Sequence, residues 1–193
     1  MFLFYLLLLS LIPMSLLTSK GFYGWTFSAV VFYLALPLIL ARLAGFSAEE
    51  LGFRRGKKDG YILALLLFVL TLPVSFYASR MPSFRAYYPI FPYRSAWGFL
   101  MGEALIGISM FAHEAFYRGF LLFPLAKKNR WKGIIVQLIP YVLVHIGKPP
   151  LEIPYSLIGG IVFAEIDLRS ESFLPSFLLH WAGAVVFDLM CAL

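Results

Sequence analysis

Residues 97–123 read WGFLMGEALIGISMFAHEAFYRGFLLF. This stretch suits a membrane-spanning helix, because about 20 apolar residues are needed to cross about 30 Å of hydrocarbon. It also contains the ionisable side chains Glu103, His113, Glu114 and Arg118. An ionisable group is unfavourable in hydrocarbon, so such residues usually face a polar interior in which they function. The stretch therefore predicts a membrane helix and a buried polar site.

The composition of the whole chain agrees with a membrane protein. Of its 193 residues, 61% are hydrophobic and 13% are charged, and the mean hydropathy is +0.84. This is too little polar surface to cover a water-soluble globule. We expect an all-α, polytopic membrane helical bundle of about seven transmembrane helices, forming a single transmembrane domain over residues 1–193. The predicted spans are 1–17, 22–45, 61–79, 97–123, 133–147, 154–168 and 172–192.

The basic residues predict the orientation of the bundle, because cytoplasmic loops retain Lys and Arg. With the N-terminus inside, the inner segments contain Arg42, Arg54, Arg55, Lys57, Lys58, Lys127, Lys128, Arg130, Lys132 and Arg169. The outer segments contain Lys20, Arg80, Arg85, Arg94 and Lys148. We expect an integral plasma-membrane protein with a cytoplasmic N-terminus. Anionic membrane lipid accounts for the net charge of +6, and no nucleic-acid partner is indicated.

A short interfacial helix is predicted where the chain leaves the second span. Ser47 and Glu50 have the spacing of a capping box, in which each side chain accepts from the backbone N–H of the other residue. The basic segment 54–58 follows directly. This pattern is typical of a helix at the surface of a membrane.

The three histidines, His113, His145 and His180, all fall within predicted spans. At about 1.5 Å per helical residue, each lies roughly 13–18 Å from the inner end of its span. We therefore predict that three helices bring their imidazole rings together near the middle of the bilayer. Each histidine could instead serve only as a hydrogen-bonding group between helices.

Spacing also predicts an ion pair beside the histidines. Glu114 and Arg118 are one helical turn apart on the same face. The pair could orient a reactive carboxylate, or it could simply hold helices together. Four other acidic residues are expected to be structural or interfacial, and the best catalytic candidate among them is Glu165: Glu103, Glu165, Asp167 and Asp188.

At these positions the chain resembles the CPBP (CAAX prenyl-protease and bacteriocin-processing), or Abi, family of intramembrane endopeptidases. The family motifs are Glu-Glu-x-x-x-Arg, Phe-x-x-x-His and His-x-x-x-Asn. The corresponding segments here are HEAFYR at 113–118, YVLVH at 141–145 and HWAGA at 180–184. The LGFRR segment at 51–55 also resembles the turn that precedes the family core. The resemblance covers roughly residues 45–190.

Three residues depart from these motifs. His113 replaces the first glutamate, which the family uses to activate the attacking water. Tyr141 replaces the phenylalanine, and Ala184 replaces the asparagine. The resemblance therefore implies an intramembrane endopeptidase acting on a membrane-associated or lipid-modified peptide, but with altered site chemistry.

Two mechanisms remain open for the candidate catalytic residues His113, Glu114, Arg118, His145 and His180. In the first, Glu114 or His113 is the general base, and His145 and His180 bind the oxyanion. In the second, His113, His145 and His180 bind a divalent metal such as Zn²⁺, and Glu114 is the base or orients a ligand.

Two further functions are compatible with the sequence. Loss of the family glutamate and asparagine would suit a catalytically degenerate membrane scaffold or chaperone of the same superfamily. A histidine-lined metal or ion-binding transport protein is the other alternative. The substrate peptide or protein and the oligomeric state are not specified by the sequence.

Overall fold

The computed structural model describes residues 5–10 and 21–193, and within these ranges all regular secondary structure is helical. We label the principal helices α1 to α7 in chain order. They are α1 (Gly21–Leu43), α2 (Lys58–Ser79), α3 (Pro82–Arg85), α4 (Ala96–Ala126), α5 (Arg130–Leu143), α6 (Glu152–Ser170) and α7 (Leu174–Ala192). Residues 5–10 are also helical. The predicted all-α class is confirmed for these residues.

Four of the described helices are long and apolar enough to cross a membrane: α1, α2, α4 and α7. The predicted count of seven is not confirmed. At about 1.5 Å per residue, α5 is only about 21 Å long, and Pro140 lies within its last turn. Helix α6 contains Glu152, Glu165, Asp167 and Arg169, too many charges for an apolar span. The predicted span 1–17 lies largely outside the described residues.

Helix α4 is the centre of the bundle and packs against α1, α5 and α7. From Ala115 to Leu122 it is wound as a π-helix, and all eight residues of this segment are buried. Helix α1 also contains a π-helical segment, Val30–Ala35. The two segments meet through Tyr33 and Tyr117, whose hydroxyl oxygens are 3.2 Å apart. Such widened turns often occur at functional sites.

The segment between α1 and α2 packs onto the C-terminal half of α4. Ser47 and Glu50 form the predicted capping box, with backbone-to-side-chain distances of 2.9 and 3.2 Å. The helix that it starts is only the 3₁₀ turn Glu49–Leu51. A Cβ atom at Gly119 would lie 3.1 Å from the carbonyl oxygen of Leu51. The absence of a side chain at Gly119 therefore allows this close approach.

Ion pairs connect loops and helix ends at this same end of the bundle. They join Lys127 to Glu50, Arg54 to Glu171, Lys57 to Glu171 and Arg130 to Glu165. The hydrogen bond and charge of Lys127 lower the pKa of Glu50 to about 2. These pairs are partly exposed, so each contributes little to stability. Together they hold Arg54, Lys57, Lys127 and Arg130 at one end of the bundle.

The packing of α7 against α4 gives a test of the fold. A Cβ atom at Gly107 would lie 2.6 Å from Cε2 of Trp181, whereas a Cβ atom at Gly159 would meet no atom within 4 Å. Gly107→Ala should therefore lower stability by about 1–3 kcal/mol through overpacking. Gly159→Ala should be neutral or stabilising, because alanine favours helix. Thermal unfolding in detergent measures both; equal effects would contradict this packing.

Candidate active site

Glu114 and Arg118 form a buried ion pair where α4 changes to π-helical winding. Both side chains are 0% exposed, and Oε2 of Glu114 lies 3.2 Å from Nε of Arg118. The predicted pairing is therefore present. Two charges removed from water need close compensation, because an unpaired charge in a low-dielectric interior is strongly unfavourable. The pair fixes the position of the Glu114 carboxylate.

The guanidinium group of Arg118 connects α4 to two other helices. It donates to Oε1 of Gln137 on α5 and lies 4.4 Å from the ring centroid of Tyr141, also on α5. Its Nε atom is 4.0 Å from Oδ2 of Asp167 on α6. Gln137 is held in turn, since its amide donates to the carbonyl oxygen of Gly160 at 3.2 Å. Arg118 is therefore fixed on several sides.

Glu114 also accepts a hydrogen bond from His180 on α7. The distance between Oε1 of Glu114 and Nδ1 of His180 is 2.6 Å. An ionised carboxylate can only accept, so Nδ1 of His180 carries the proton and Nε2 keeps its lone pair in the neutral ring. The His180 side chain is 21% exposed, whereas Glu114 is fully buried. His180 is thus the member of this pair that can meet a ligand.

His145 lies outside the helix in which it was predicted. Helix α5 ends at Leu143, and the backbone N–H of His145 bonds the carbonyl oxygen of Val142 at 3.0 Å in the turn that follows. Nδ1 of His145 is 2.8 Å from the carbonyl oxygen of Tyr141. Because a carbonyl only accepts, His145 also has its proton on Nδ1 and its lone pair on Nε2.

The three imidazole rings are brought together, and the ring of His113 lies close to each of the other two. Its ring centroid is 5.7 Å from that of His180 and 6.5 Å from that of His145. Three tyrosine rings complete the surroundings of His113, at centroid distances of 4.7 Å for Tyr117, 5.3 Å for Tyr141 and 6.0 Å for Tyr33. Nε2 of His113 is buried without a hydrogen-bond partner among the described residues.

The three-histidine metal site, the second mechanism that the sequence left open, depends on the distances between the rings. With Zn–N distances of about 2.0–2.1 Å and tetrahedral angles, two histidine ligands have ring centroids about 5 Å apart. The distances of 5.7 and 6.5 Å from His113 are longer. Within residues 5–10 and 21–193, no group of three His, Cys, Asp or Glu side chains is placed to bind a metal ion.

The other acidic candidates lie elsewhere, with one exception. Glu165 pairs with Arg130 and Arg169. Glu103 lies near Trp181, whose Nε1 donates a hydrogen bond to the backbone carbonyl oxygen of Glu103 at 2.9 Å. Asp167, expected to be structural or interfacial, is fully buried beside Arg118. No spacing in the sequence relates Asp167 to the motif residues, because its position depends on how α6 packs.

Gln137 was missed at the sequence level, although a signal was present. Gln137, Tyr141 and His145 are spaced by four residues, which places successive members on one helical face. Ala184, at the position of the motif asparagine, packs in an apolar cluster with Phe91, Phe99 and Ile106. No amide therefore reaches the site from this position.

The burial of Arg118 gives a stability prediction. Arg118→Ala should destabilise the protein by about 3–5 kcal/mol, because it leaves Glu114 buried without its cation. Arg169→Ala should change stability little, since the Arg169 side chain is 68% exposed and its ion pair spans 3.8 Å. Thermal unfolding of both variants in the same detergent measures the difference. An unchanged melting temperature for Arg118→Ala would show that this ion pair is not buried.

Comparison with known proteins finds one family that part of the chain resembles. Residues 94–186 match the family "Type II CAAX prenyl endopeptidase Rce1-like", and this range contains all three motif segments. No curated protein and no solved structure was found to match the chain. The match confirms the resemblance that the motifs indicated, and it supports a protease within a membrane. Residues 94–186 of the chain are therefore similar to the Rce1-like family of type II CAAX prenyl endopeptidases.

Proposed function

We propose that the protein is an intramembrane endopeptidase that hydrolyses a peptide bond in a membrane-associated or lipid-modified peptide. The observation that supports this most directly is the chain of contacts from Arg118 to Glu114 to His180, beside the rings of His113 and His145. A carboxylate that orients an imidazole, which in turn faces a reacting group, is a recurrent arrangement in hydrolysis. The family name indicates prenylated C-terminal peptides as the first substrates to test.

His180 is the general base in this proposal. Nε2 of His180 removes a proton from water as the water oxygen attacks the peptide carbonyl carbon. The Glu114 carboxylate, 2.6 Å from Nδ1, stabilises the imidazolium that forms. Glu114 is a poorer choice for the base than its position in the sequence suggests, because its two carboxylate oxygens already contact His180 and Arg118.

The other two histidines have complementary roles. His145 has a free lone pair on Nε2 and can accept the second proton of the same water, which would orient the oxygen for attack. His113 has a buried, unpartnered Nε2 that can donate to the developing oxyanion in its Nε2–H tautomer. When the tetrahedral intermediate collapses, His180 returns its proton to the leaving amine.

The basic end of the bundle is proposed to face the cytoplasm. The ion pairs of Arg54, Lys57, Lys127 and Arg130 place these residues at one end of the described helices. Cytoplasmic loops are enriched in Lys and Arg. With a cytoplasmic N-terminus in the plasma membrane, the chain would cleave its substrate near the inner face, in contact with membrane lipid.

A catalytically degenerate scaffold or chaperone is the second candidate function. The observation in its favour is the apolar packing of Ala184, which leaves the site without the amide of the family motif. A scaffold would retain Arg118 and Glu114 for stability alone, so the two proposals differ in whether the wild-type protein cleaves any peptide.

Cleavage of a prenylated peptide in detergent or liposomes tests the roles of the site residues. Glu114→Gln, His145→Ala and His180→Ala should each lower kcat/KM by about 10²–10⁴-fold, because a positioned acid or base contributes this much. Glu103→Gln, which removes a different buried carboxyl group from α4, should cleave like the wild type. Full activity of His180→Ala would exclude it as the base, and no cleavage by folded wild-type protein would favour the scaffold.

Metal dependence is tested in the same assay. A reaction based on histidine and glutamate alone should continue after treatment with a chelator, and elemental analysis should find no stoichiometric metal. A stoichiometric metal that disappears in His113→Ala, together with loss of activity on chelation, would support the metal mechanism and contradict our proposal.

A further inference from the structure

Two carboxylate groups face the guanidinium of Arg118, although the family motif includes only one of them. Glu114 and Asp167 lie 3.2 and 4.0 Å from Nε of Arg118, and all three side chains are 0% exposed. Asp167 belongs to α6, which contributes no motif residue. Its place in the site therefore needs a separate explanation.

Asp167 is held in this position from α7. Its Oδ2 atom is 2.6 Å from the hydroxyl oxygen of Ser176, which lies four residues before His180. This length fits a hydroxyl group that donates to an ionised carboxylate, and it equally fits a hydroxyl group that accepts from a protonated one. Helices α4, α6 and α7 thus meet at Arg118, Asp167 and Ser176.

The charges around Glu114 explain why a second carboxylate is useful. When His180 accepts a proton, Glu114 lies between two cations, the imidazolium and Arg118. One buried carboxylate then compensates two positive charges, and excess charge is strongly unfavourable in a low-dielectric site. With Asp167 ionised, Glu114, Asp167, Arg118 and protonated His180 together carry no net charge.

We propose that Asp167 is a positioning residue that serves as the second counter-ion of Arg118 and so leaves Glu114 to orient and stabilise His180. This inference rests on the proposed function, because it assigns a role to Asp167 in the reaction of His180. Asp167 acts through Arg118 and Glu114 and does not touch the substrate. Its side chain is needed for its charge, not only to fill space.

The protonation of Asp167 is linked to the hydroxyl group of Ser176. This hydroxyl group has a single proton, and it lies 2.6 Å from Oδ2 of Asp167 and 3.0 Å from the carbonyl oxygen of Phe173. An ionised Asp167 requires that Ser176 donate to it, because a carboxylate can only accept. If Ser176 donates to Phe173, the contact requires a protonated Asp167, which could not be a counter-ion.

The first experiment compares cleavage of a prenylated peptide by the wild type, Asp167→Asn and Glu165→Gln. Asp167→Asn keeps the shape but removes the charge, so kcat should fall at least about tenfold while KM stays within about twofold. Glu165→Gln removes the same charge two residues earlier on α6, from a surface pair with Arg130, and should leave both constants unchanged. Equal kcat for Asp167→Asn and the wild type would overturn the proposal.

A spectroscopic measurement tests the proposal without any turnover. The Nδ1 proton that His180 shares with Glu114 should give a downfield proton resonance that is absent from His180→Gln. Asp167→Asn should shift this resonance, and Glu165→Gln should not. A shift in a protein that cleaves nothing would support the role of Asp167 and contradict the proposed function; an unchanged resonance would contradict the role itself.

Infrared difference spectra decide the protonation of Asp167. An ionised Asp167 predicts that Asp167→Asn loses a carboxylate band, whereas loss of a protonated-carboxyl band would overturn the proposal. If Asp167→Asn fails to fold, Ser176→Ala replaces it, since that variant keeps both charges and removes only the hydroxyl donor. Ser176→Ala should shift the His180 resonance in the same direction by a smaller amount, and no shift would count against the proposal.

Discussion

The need to compensate the buried charge of Arg118 organises this structure. A guanidinium with no exposed surface cannot be solvated by water, so its partners must come from the protein. They come from several helices: Glu114 on its own helix, Gln137 and the face of Tyr141 on α5, and Asp167 on α6. The relative positions of α4, α5 and α6 at this depth follow from these contacts.

The same carboxylate that compensates Arg118 also holds a side chain of α7, the imidazole of His180. Glu114 turns one oxygen toward Arg118 and the other toward His180. The ion pair therefore fixes the tautomer of His180, and the ring nitrogen away from Glu114 becomes the basic atom. The Glu114 carboxylate thus takes part both in the ion pair with Arg118 and in the hydrogen bond to the base of the proposed reaction. Replacing Glu114 should therefore affect stability and activity together.

Aromatic rings enclose His113 at this polar centre. Tyr33, Tyr117 and Tyr141 surround His113, and the hydroxyl groups of Tyr33 and Tyr117 meet where two π-helical segments face each other. A buried, low-dielectric environment strengthens electrostatic interactions within it. The His180 side chain is 21% exposed, so it connects the buried site to the surface of the protein.

The sequence by itself determined the membrane class, the four long apolar helices, the capping box and the pairing of Glu114 with Arg118. These depend on hydropathy, period and spacing along one segment. The tertiary structure decided that α5 ends before His145 and that the Glu114 carboxylate accepts a hydrogen bond from His180. It also decided that Gln137 and Asp167 lie beside the guanidinium group of Arg118. These features depend on which helix faces meet. A side chain such as Asp167 has no local signal for its role, because its partner is nearly fifty residues away in the chain and is reached only through packing.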